Sequence, residues 1–353
     1  MIDLTRFKRM MLRAASISIT FIGLAHLQAC ATGQYPSSAE SEVKFHFDLM
    51  DFTPDNQMLI FSYDLPNGLS KIGFYLLESK TKLPIALPVD RSWSEPAVSP
   101  DGRFLALVSS CVSECAEDDK GSQIALIDLW KNEPNFVLLT KGSGDRSGPV
   151  FTNDSKHIVY AFGPDNGRSV RGLARVGFDH KEEILQKFDD WGIVRAVRHA
   201  FFDSDGNYYA SIFSADSEIR KPLKNYKNDS SFSILYKFEK QSYKLLDVVE
   251  FAKYYHVSSP SIQNNDEIIF SGMPAGEYDY GGLDLYRVKG DVVNKFLSWD
   301  KYESYIKSSH DESVIAIIAS NDHYSQKDIY LYRPLVGFEK TGISDEIVAD
   351  LRR

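Results

Sequence analysis

The chain has 353 residues, of which 43% are hydrophobic and 25% charged, and this composition is typical of a folded globular protein. Its net charge is −9 at neutral pH, and no stripe of Lys and Arg offsets the acidity locally. Because an acidic surface repels phosphate backbones, the composition argues against nucleic acid as a partner.

Residues 1–29 are predicted to form a signal peptide. A basic segment precedes an apolar stretch, residues 14–27, which is shorter than the ~20 residues that span a bilayer. The stretch ends in Leu27-Gln28-Ala29-Cys30, which resembles the bacterial lipobox, although Gln28 departs from the small or apolar residue usual there. The resemblance implies lipidation at Cys30, and Ala31 after it implies the outer membrane of a Gram-negative bacterium, facing the periplasm. A plain secretory signal with an incidental Cys is the alternative.

Residues 30–43 are predicted to be the lipidated Cys and a flexible tether, because they are small, polar and Pro-containing. From residue 44 a turn rich in Asp, Asn, Pro and Gly, followed by β-rich runs, recurs at intervals of 46 to 60 residues. This period is that of propeller blades, each a four-stranded antiparallel sheet. The sequence therefore predicts an all-β fold, a six-bladed β-propeller over residues 44–343, with residues 344–353 as a C-terminal tail. The turns begin at Thr53, Ser99, Thr152, Asp203, Gln263 and Ser309.

The repeats resemble those of the TolB-type six-bladed propellers, with their PD-type WD40-like repeats. Residues 95–106 (EPAVSPDGRFLA) are similar to the repeat consensus, and residues 281–286 (GGLDLY) and 328–330 (DIY) to its third strand. The resemblance does not include the N-terminal α/β domain of TolB, since only the tether separates Cys30 from the first repeat. It implies the fold and a tendency to bind proteins or glycans.

The two remaining cysteines, Cys111 and Cys115, form the only pair once Cys30 is lipidated. An oxidising periplasm favours a disulfide between them, with two free thiols as the alternative. Without a second Cys pair or an adjacent His, they do not complete a tetrahedral metal site. No metal and no cofactor are therefore predicted.

The start of the innermost strand is predicted to place polar residues at the mouth of the central channel. When the six units are aligned, one residue of each unit falls at the same entry position of the innermost strand, and a second residue of each unit falls at the next position. Four of them, Asp48, Glu95, Arg198 and His199, are candidate binding residues; the alternative is that they bind channel water and one another. The first set is Asp48, Ser94, Ser147, Arg198, Ser258 and Ser304, and the second Leu49, Glu95, Gly148, His199, Ser259 and Tyr305.

Aromatic residues recur in the connections between blades, and they are further binding candidates. Flat rings with polar tips suit sugar faces or protein hot spots, although such rings also pack as wedges between blades. Three enlarged loops, at residues 111–121, 215–231 and 274–282, are expected on the same face, so binding is predicted on this loop face rather than on the turns. The aromatic candidates are Trp93, Trp191, Tyr254, Tyr255, Trp299 and Tyr302.

No catalytic residues are predicted. The chain carries no G-x-S-x-G elbow, P-loop or G-x-G-x-x-G motif, and its eight His do not cluster in the sequence. The favoured interpretation is a non-catalytic, outer-membrane-anchored lipoprotein whose propeller binds an envelope protein or a cell-envelope glycan. The alternatives are a propeller enzyme of the lyase or lactonase type with a channel metal, and a scaffold of an envelope complex.

Overall fold

The computed structural model describes residues 45–352 except 84, 86, 132–134, 165–168, 189–193, 215–232, 264, 275–283, 300 and 322–325. The predicted signal peptide and tether, with Cys30, lie outside the described residues. No helix within the described part has the length and apolar character needed to cross a bilayer.

Over the described residues, 24 strands form six four-stranded antiparallel sheets, each made of four consecutive strands, which confirms the predicted six-bladed propeller. Blades I to III comprise β1 (His46–Phe52), β2 (Met58–Asp64), β3 (Ser70–Leu76), β4 (Thr81–Leu83), β5 (Arg91–Val98), β6 (Phe104–Cys111), β7 (Ser122–Asp128), β8 (Phe136–Leu138), β9 (Asp145–Phe151), β10 (His157–Gly163), β11 (Gly172–Gly177) and β12 (Glu182–Lys187). Blades IV to VI comprise β13 (Val194–Phe202), β14 (Tyr208–Ser214), β15 (Ser233–Phe238), β16 (Leu245–Val248), β17 (Tyr255–Ile262), β18 (Ile268–Pro274), β19 (Asp284–Lys289), β20 (Val292–Leu297), β21 (Tyr302–Ser308), β22 (Ile315–Ser320), β23 (Asp328–Arg333) and β24 (Gly337–Lys340).

Burial changes from the second strand of a blade to the fourth, and this explains why the fourth strands are faint in the sequence. Every residue of β22 (IAIIAS) is buried, because the adjacent blades cover both faces of the sheet. By contrast β12 (EEILQK) is mostly exposed. The first strand of each blade contacts the first strands of both neighbouring blades, so these strands surround the central channel.

Four of the six turns between first and second strands share one hydrogen-bond pattern. The hydroxyl that begins the turn donates to the Asp two residues later, at 2.5 to 2.9 Å. It also accepts the backbone N–H five residues later, at 2.8 to 3.2 Å. The Asp residues of the repeat are therefore used in turn formation, as the sequence chemistry of such turns leads one to expect. The four hydroxyls belong to Thr53, Ser99, Thr152 and Ser309.

Polar contacts at the turns, or in the strands beside them, join neighbouring blades all round the ring. Polar contacts link each blade to the next at this end of the channel, so the turn face is braced. The contacts are Val98 N–H to Asp51 Oδ2 (2.8 Å), Asp101 N–H to Ser155 Oγ (3.2 Å), Asn153 Nδ2 to Asp203 O (2.8 Å), Ser204 N–H to Asp266 Oδ1 (2.9 Å), Arg287 to Glu312 (3.1 Å) and His310 N–H to Asn56 Oδ1 (2.9 Å).

Among the described strands, blades I and VI each consist of four consecutive strands, and the ring closes between them. The amide of Gln326 donates to the carbonyl of Phe45 at 2.9 Å, and the Tyr305 hydroxyl donates to the carbonyl of Met50 at 3.2 Å. The predicted C-terminal tail is largely a helix, α1 (Ile343–Leu351), whose buried Ile343 and Ile347 join the apolar cluster shared by these two blades. Apolar burial and a few polar contacts thus hold the closure.

Candidate functional site

The inner strand of every blade breaks its regular pairing at the channel, in the middle of the strand. In four blades the irregularity coincides with a left-handed backbone, at Glu95, Gly148, His199 and Ser259, with φ between 48° and 60°. A β-bulge of this kind leaves polar groups out of the sheet ladder and re-aims a side chain. For a residue other than Gly the conformation costs about 1 kcal/mol, and such strain concentrates at functional sites.

Glu95 uses its carboxylate to satisfy one of the freed backbone groups. Its Oε2 accepts the N–H of Gly148, at the equivalent position of the next blade. Burial, followed by the nearby Asp48 carboxylate, raises the pKa of Glu95 to about 7, although the Gly148 N–H and Arg198 oppose the rise. The channel therefore holds a carboxyl group that changes its charge near neutral pH.

The four polar residues predicted at the channel mouth do come together. Burial also raises the pKa of Asp48, while Arg198 opposes that shift. Burial, with smaller effects from Arg198 and Lys307, lowers the pKa of His199 to about 3, so its imidazole is neutral at physiological pH. The His199 ring lies 5.1 Å from that of Tyr305, and its Nδ1 has no hydrogen-bond partner among the residues that the structure describes.

Beyond the bulges the channel widens into a cavity of about 420 Å³. Glu95, His199 and Tyr305 line its inner end, and turn residues such as Pro100 and Ser204 line its outer end. The cavity thus lies toward the turns, on the face opposite the one that the sequence favours for binding. A volume of this size accommodates a small ligand or the end of a chain.

Gln263 is the residue in the cavity wall that sequence reasoning missed as a functional candidate. It begins the turn of blade V, where four other turns have Ser or Thr. Its side chain is 3% exposed, and within the described residues neither its amide nitrogen nor its amide oxygen has a partner. The sequence does show that Gln263 stands where four other turns have Ser or Thr. Gln has no hydroxyl, so it cannot make the short hydroxyl-to-Asp hydrogen bond of those turns.

The prediction that Trp93 is a surface binding residue is corrected by its position. It is 0% exposed, its indole N–H donates to the Pro88 carbonyl at 3.0 Å, and its ring meets the edge of Phe136 at 5.1 Å. The apolar cluster around it contains residues of both blade I and blade II. The indole is therefore a wedge between blades, and a partner has no access to it.

Of the other aromatic candidates that the structure describes, Trp299 packs between blades and Tyr255 packs within blade V. Trp299 stacks on Phe338 at 4.2 Å, across the boundary of blades V and VI. Tyr255 packs against the ring of Tyr286 at 5.1 Å, whereas Tyr254 is 44% exposed beside a groove between blades IV and V. Trp191 and the side chain of Tyr302 lie outside the described part of the structure.

Cys111 and Cys115 are joined in a disulfide in the enlarged loop of blade II, with Cα atoms 5.8 Å apart. The same loop forms a short 3₁₀ helix (Glu117–Asp119), and Arg91 donates two hydrogen bonds to Asp119, one of them at 2.8 Å. The first enlarged loop is therefore held against its blade. The second loop and nearly all of the third fall outside the described residues.

No group of three or more His, Cys, Asp or Glu side chains in the described parts of the chain is placed to hold a metal ion. His256 is buried on the inner strand of blade V, and burial lowers the pKa of His199 on the inner strand of blade IV to about 3.

Comparison with known proteins shows the fold alone. No protein-family model and no curated protein sequence matches the chain. An oligogalacturonate lyase in complex with manganese aligns with 12% identity and a TM-score of 0.52, over 85% of this chain and 78% of the lyase. The tricorn protease aligns with 17% identity and a TM-score of 0.51, over 85% of this chain and 26% of the protease.

TolB from Acinetobacter baumannii aligns with 12% identity and a TM-score of 0.48, over 82% of this chain and 61% of TolB. The protein has the six-bladed propeller fold that its repeats predict. At these identities neither the chemistry nor the partners of the compared proteins transfer to it.

Proposed function

We propose that the protein is a non-catalytic lipoprotein of the outer membrane, facing the periplasm, whose propeller binds a segment of an envelope protein in the channel cavity. The observation that carries this proposal is Gln263, a buried amide in the cavity wall without a partner in the described chain. Leaving such a group unpaired costs about 1–3 kcal/mol of stability. A ligand that hydrogen-bonds to the amide would offset this cost.

The unpaired Nδ1 of His199, on the neighbouring blade, supports the same site. Because His199 is neutral, its Nδ1 can pair with a carbonyl or an N–H of a peptide backbone, depending on the tautomer. The bulge that carries His199 places the ring at the inner end of the cavity. Two elements, the turn of blade V and the inner strand of blade IV, thus present unpaired groups to one space.

A protein partner is favoured over a glycan. The glycan hypothesis depends on exposed aromatic platforms, but Trp93 is buried between blades, Trp299 is stacked on Phe338, and the exposed Tyr254 lies outside the cavity. Phe201 and Tyr305 in the cavity wall are 6% and 8% exposed, so little of either ring is free to stack on a sugar.

Gln263→Leu tests the proposal through opposite effects on stability and binding. Leu removes the unpaired amide at similar volume, so the free energy of unfolding should stay the same or rise by up to about 1–2 kcal/mol. The amount of partner retained from solubilised envelope should fall at least fivefold, since a ligand hydrogen bond is lost. Urea unfolding and quantitative capture on the immobilised propeller measure the two effects.

Tyr208→Phe is the matched control. The Tyr208 hydroxyl is also buried without a partner among the described residues, but it lies in the apolar core of blade IV. Its removal should likewise preserve or raise stability, and it should leave partner retention unchanged. Equal retention by wild type, Gln263→Leu and Tyr208→Phe would rule out the cavity as the binding site.

A further inference from the structure

The cavity wall carries more negative than positive charge. Among its described residues are four carboxylates, and the one permanently positive group is Lys307. Burial lowers the pKa values of His199 and His310, so both favour the neutral form. A cleft with one sign of charge and walls of low dielectric concentrates ligands of the opposite charge. The carboxylates are those of Asp51, Glu95, Asp203 and Asp266.

Three of these carboxylates have roles in the fold. Asp51 contacts Lys307 at 2.9 Å and accepts the N–H of Val98. Asp203 accepts from Asn207 within its turn, and Asp266 accepts from Ser204 of the neighbouring turn. Glu95 differs in its surroundings. Its carboxylate accepts the backbone N–H of Gly148, and its charged neighbours include a second carboxylate, Asp48.

We infer that the inner end of the cavity binds a primary ammonium group of the ligand, beside Glu95. The inference rests on the proposed function and specifies the chemistry of what enters the channel. It stands on the charge of the wall together with the unpaired, 97% buried amide of Gln263, which points to a ligand independently of charge. The ammonium donates to the Glu95 carboxylate, while Gln263 pairs with a polar group further along the ligand.

Several charged or titratable groups face this position from the neighbouring strands and turns, and they decide the pH dependence. His199 is neutral above a pKa of about 3, and burial raises the pKa of Tyr305 above its ordinary value of about 10, so neither changes charge between pH 6 and 7. Glu95, with a pKa of about 7, does change charge there. The other groups are Asp48 and Asp51 on β1, Arg198 on β13, Lys307 on β21 and His310 in the turn that follows β21.

The sign of the pH effect follows from that titration. An ammonium prefers the ionised carboxylate, and the ionised fraction of Glu95 rises from about one tenth at pH 6 to about one half at pH 7. An α-amino group remains mostly protonated over this interval. Binding should therefore strengthen about fivefold from pH 6 to pH 7, with release of a proton.

Isothermal titration calorimetry of the propeller with small probes tests the inference. Trialanine, N-acetyltrialanine, Nα-acetyl-lysine amide, glucosamine and N-acetylglucosamine separate a peptide amino terminus, a lysine side chain and an amino sugar as the source of the ammonium. We expect one free-amine probe to bind about fivefold more tightly at pH 7 than at pH 6. Its acetylated counterpart, where there is one, should bind at least tenfold more weakly.

Glu95→Gln should weaken that probe about tenfold at pH 7 and abolish its pH dependence, while the amide still accepts the Gly148 N–H. If Glu95→Gln fails to fold, Asp48→Asn takes its place. For that variant we expect a lower affinity for the probe and a lower midpoint in the pH profile of probe binding. Equal binding of free and acetylated amines, binding that is independent of pH, or no binding by any probe would overturn the inference. If the inference fails but Gln263→Leu still reduces partner retention, the proposed function stands; if Gln263→Leu has no effect, the proposed function falls.

Discussion

Trp93→Ala should lower the free energy of unfolding by about 3–5 kcal/mol, because it removes a fully buried indole and leaves a cavity between two blades. The apolar cluster around the indole includes Phe74 of blade I and Leu105 of blade II, so the loss is felt on both sides of the boundary. The carbonyl of Pro88 also loses its donor. Urea unfolding of wild type and variant measures the difference.

Trp130→Ala is the control, because Trp130 is a tryptophan that does not pack between blades. Trp130 is 55% exposed and packs only loosely against the guanidinium of Arg103, at 5.7 Å, so its removal should change stability by less than about 0.5 kcal/mol. If Trp93→Ala kept wild-type stability and lost partner retention instead, Trp93 would be a surface binding residue, as the sequence suggested.

Cys30→Ser should move the protein from the membrane fraction to the soluble periplasmic fraction almost completely. Under the proposed function, Leu27-Gln28-Ala29-Cys30 directs lipidation of Cys30, and the acyl chains would be the hydrophobic attachment that this substitution removes. Cell fractionation, with mass spectrometry of the mature N-terminus of the wild type, measures the change. A Cys30→Ser protein that sediments with membranes after a high-salt wash would contradict lipid anchoring; Cys111→Ser, which leaves the lipobox intact, should remain in the membrane fraction.

The fold could be predicted because its signals are local and repeated. A turn such as Ser99-Pro100-Asp101-Gly102 is stabilised by contacts within six residues, so each repeat can be recognised from a short stretch of sequence. Alignment of the repeats then places Asp48, Glu95, Arg198 and His199 at equivalent points of their inner strands, and the structure brings these four together.

The burial of Trp93 and the position of the cavity could not be predicted, because they depend on packing between blades. Whether Trp93 faces solvent or a neighbouring blade is decided by residues of blade I, more than ten positions away in the sequence. The bulges that carry Glu95 and Ser259 are followed by Pro96 and Pro260, which interrupt a strand pattern without revealing the direction of the side chains. The position of the cavity follows from that direction, so it emerged only with the structure.

The most direct test of ligand entry through the turn face is site-specific photo-crosslinking in intact cells. A benzophenone amino acid replaces, one at a time, the exposed Pro100 at the cavity mouth, Tyr254 on the loop face and Leu335 on the outer edge. We expect a crosslinked partner from position 100, lost when Gln263→Leu is added, and no crosslink from position 335. A partner crosslinked from position 254 and not from position 100 would contradict the account and return binding to the loop face.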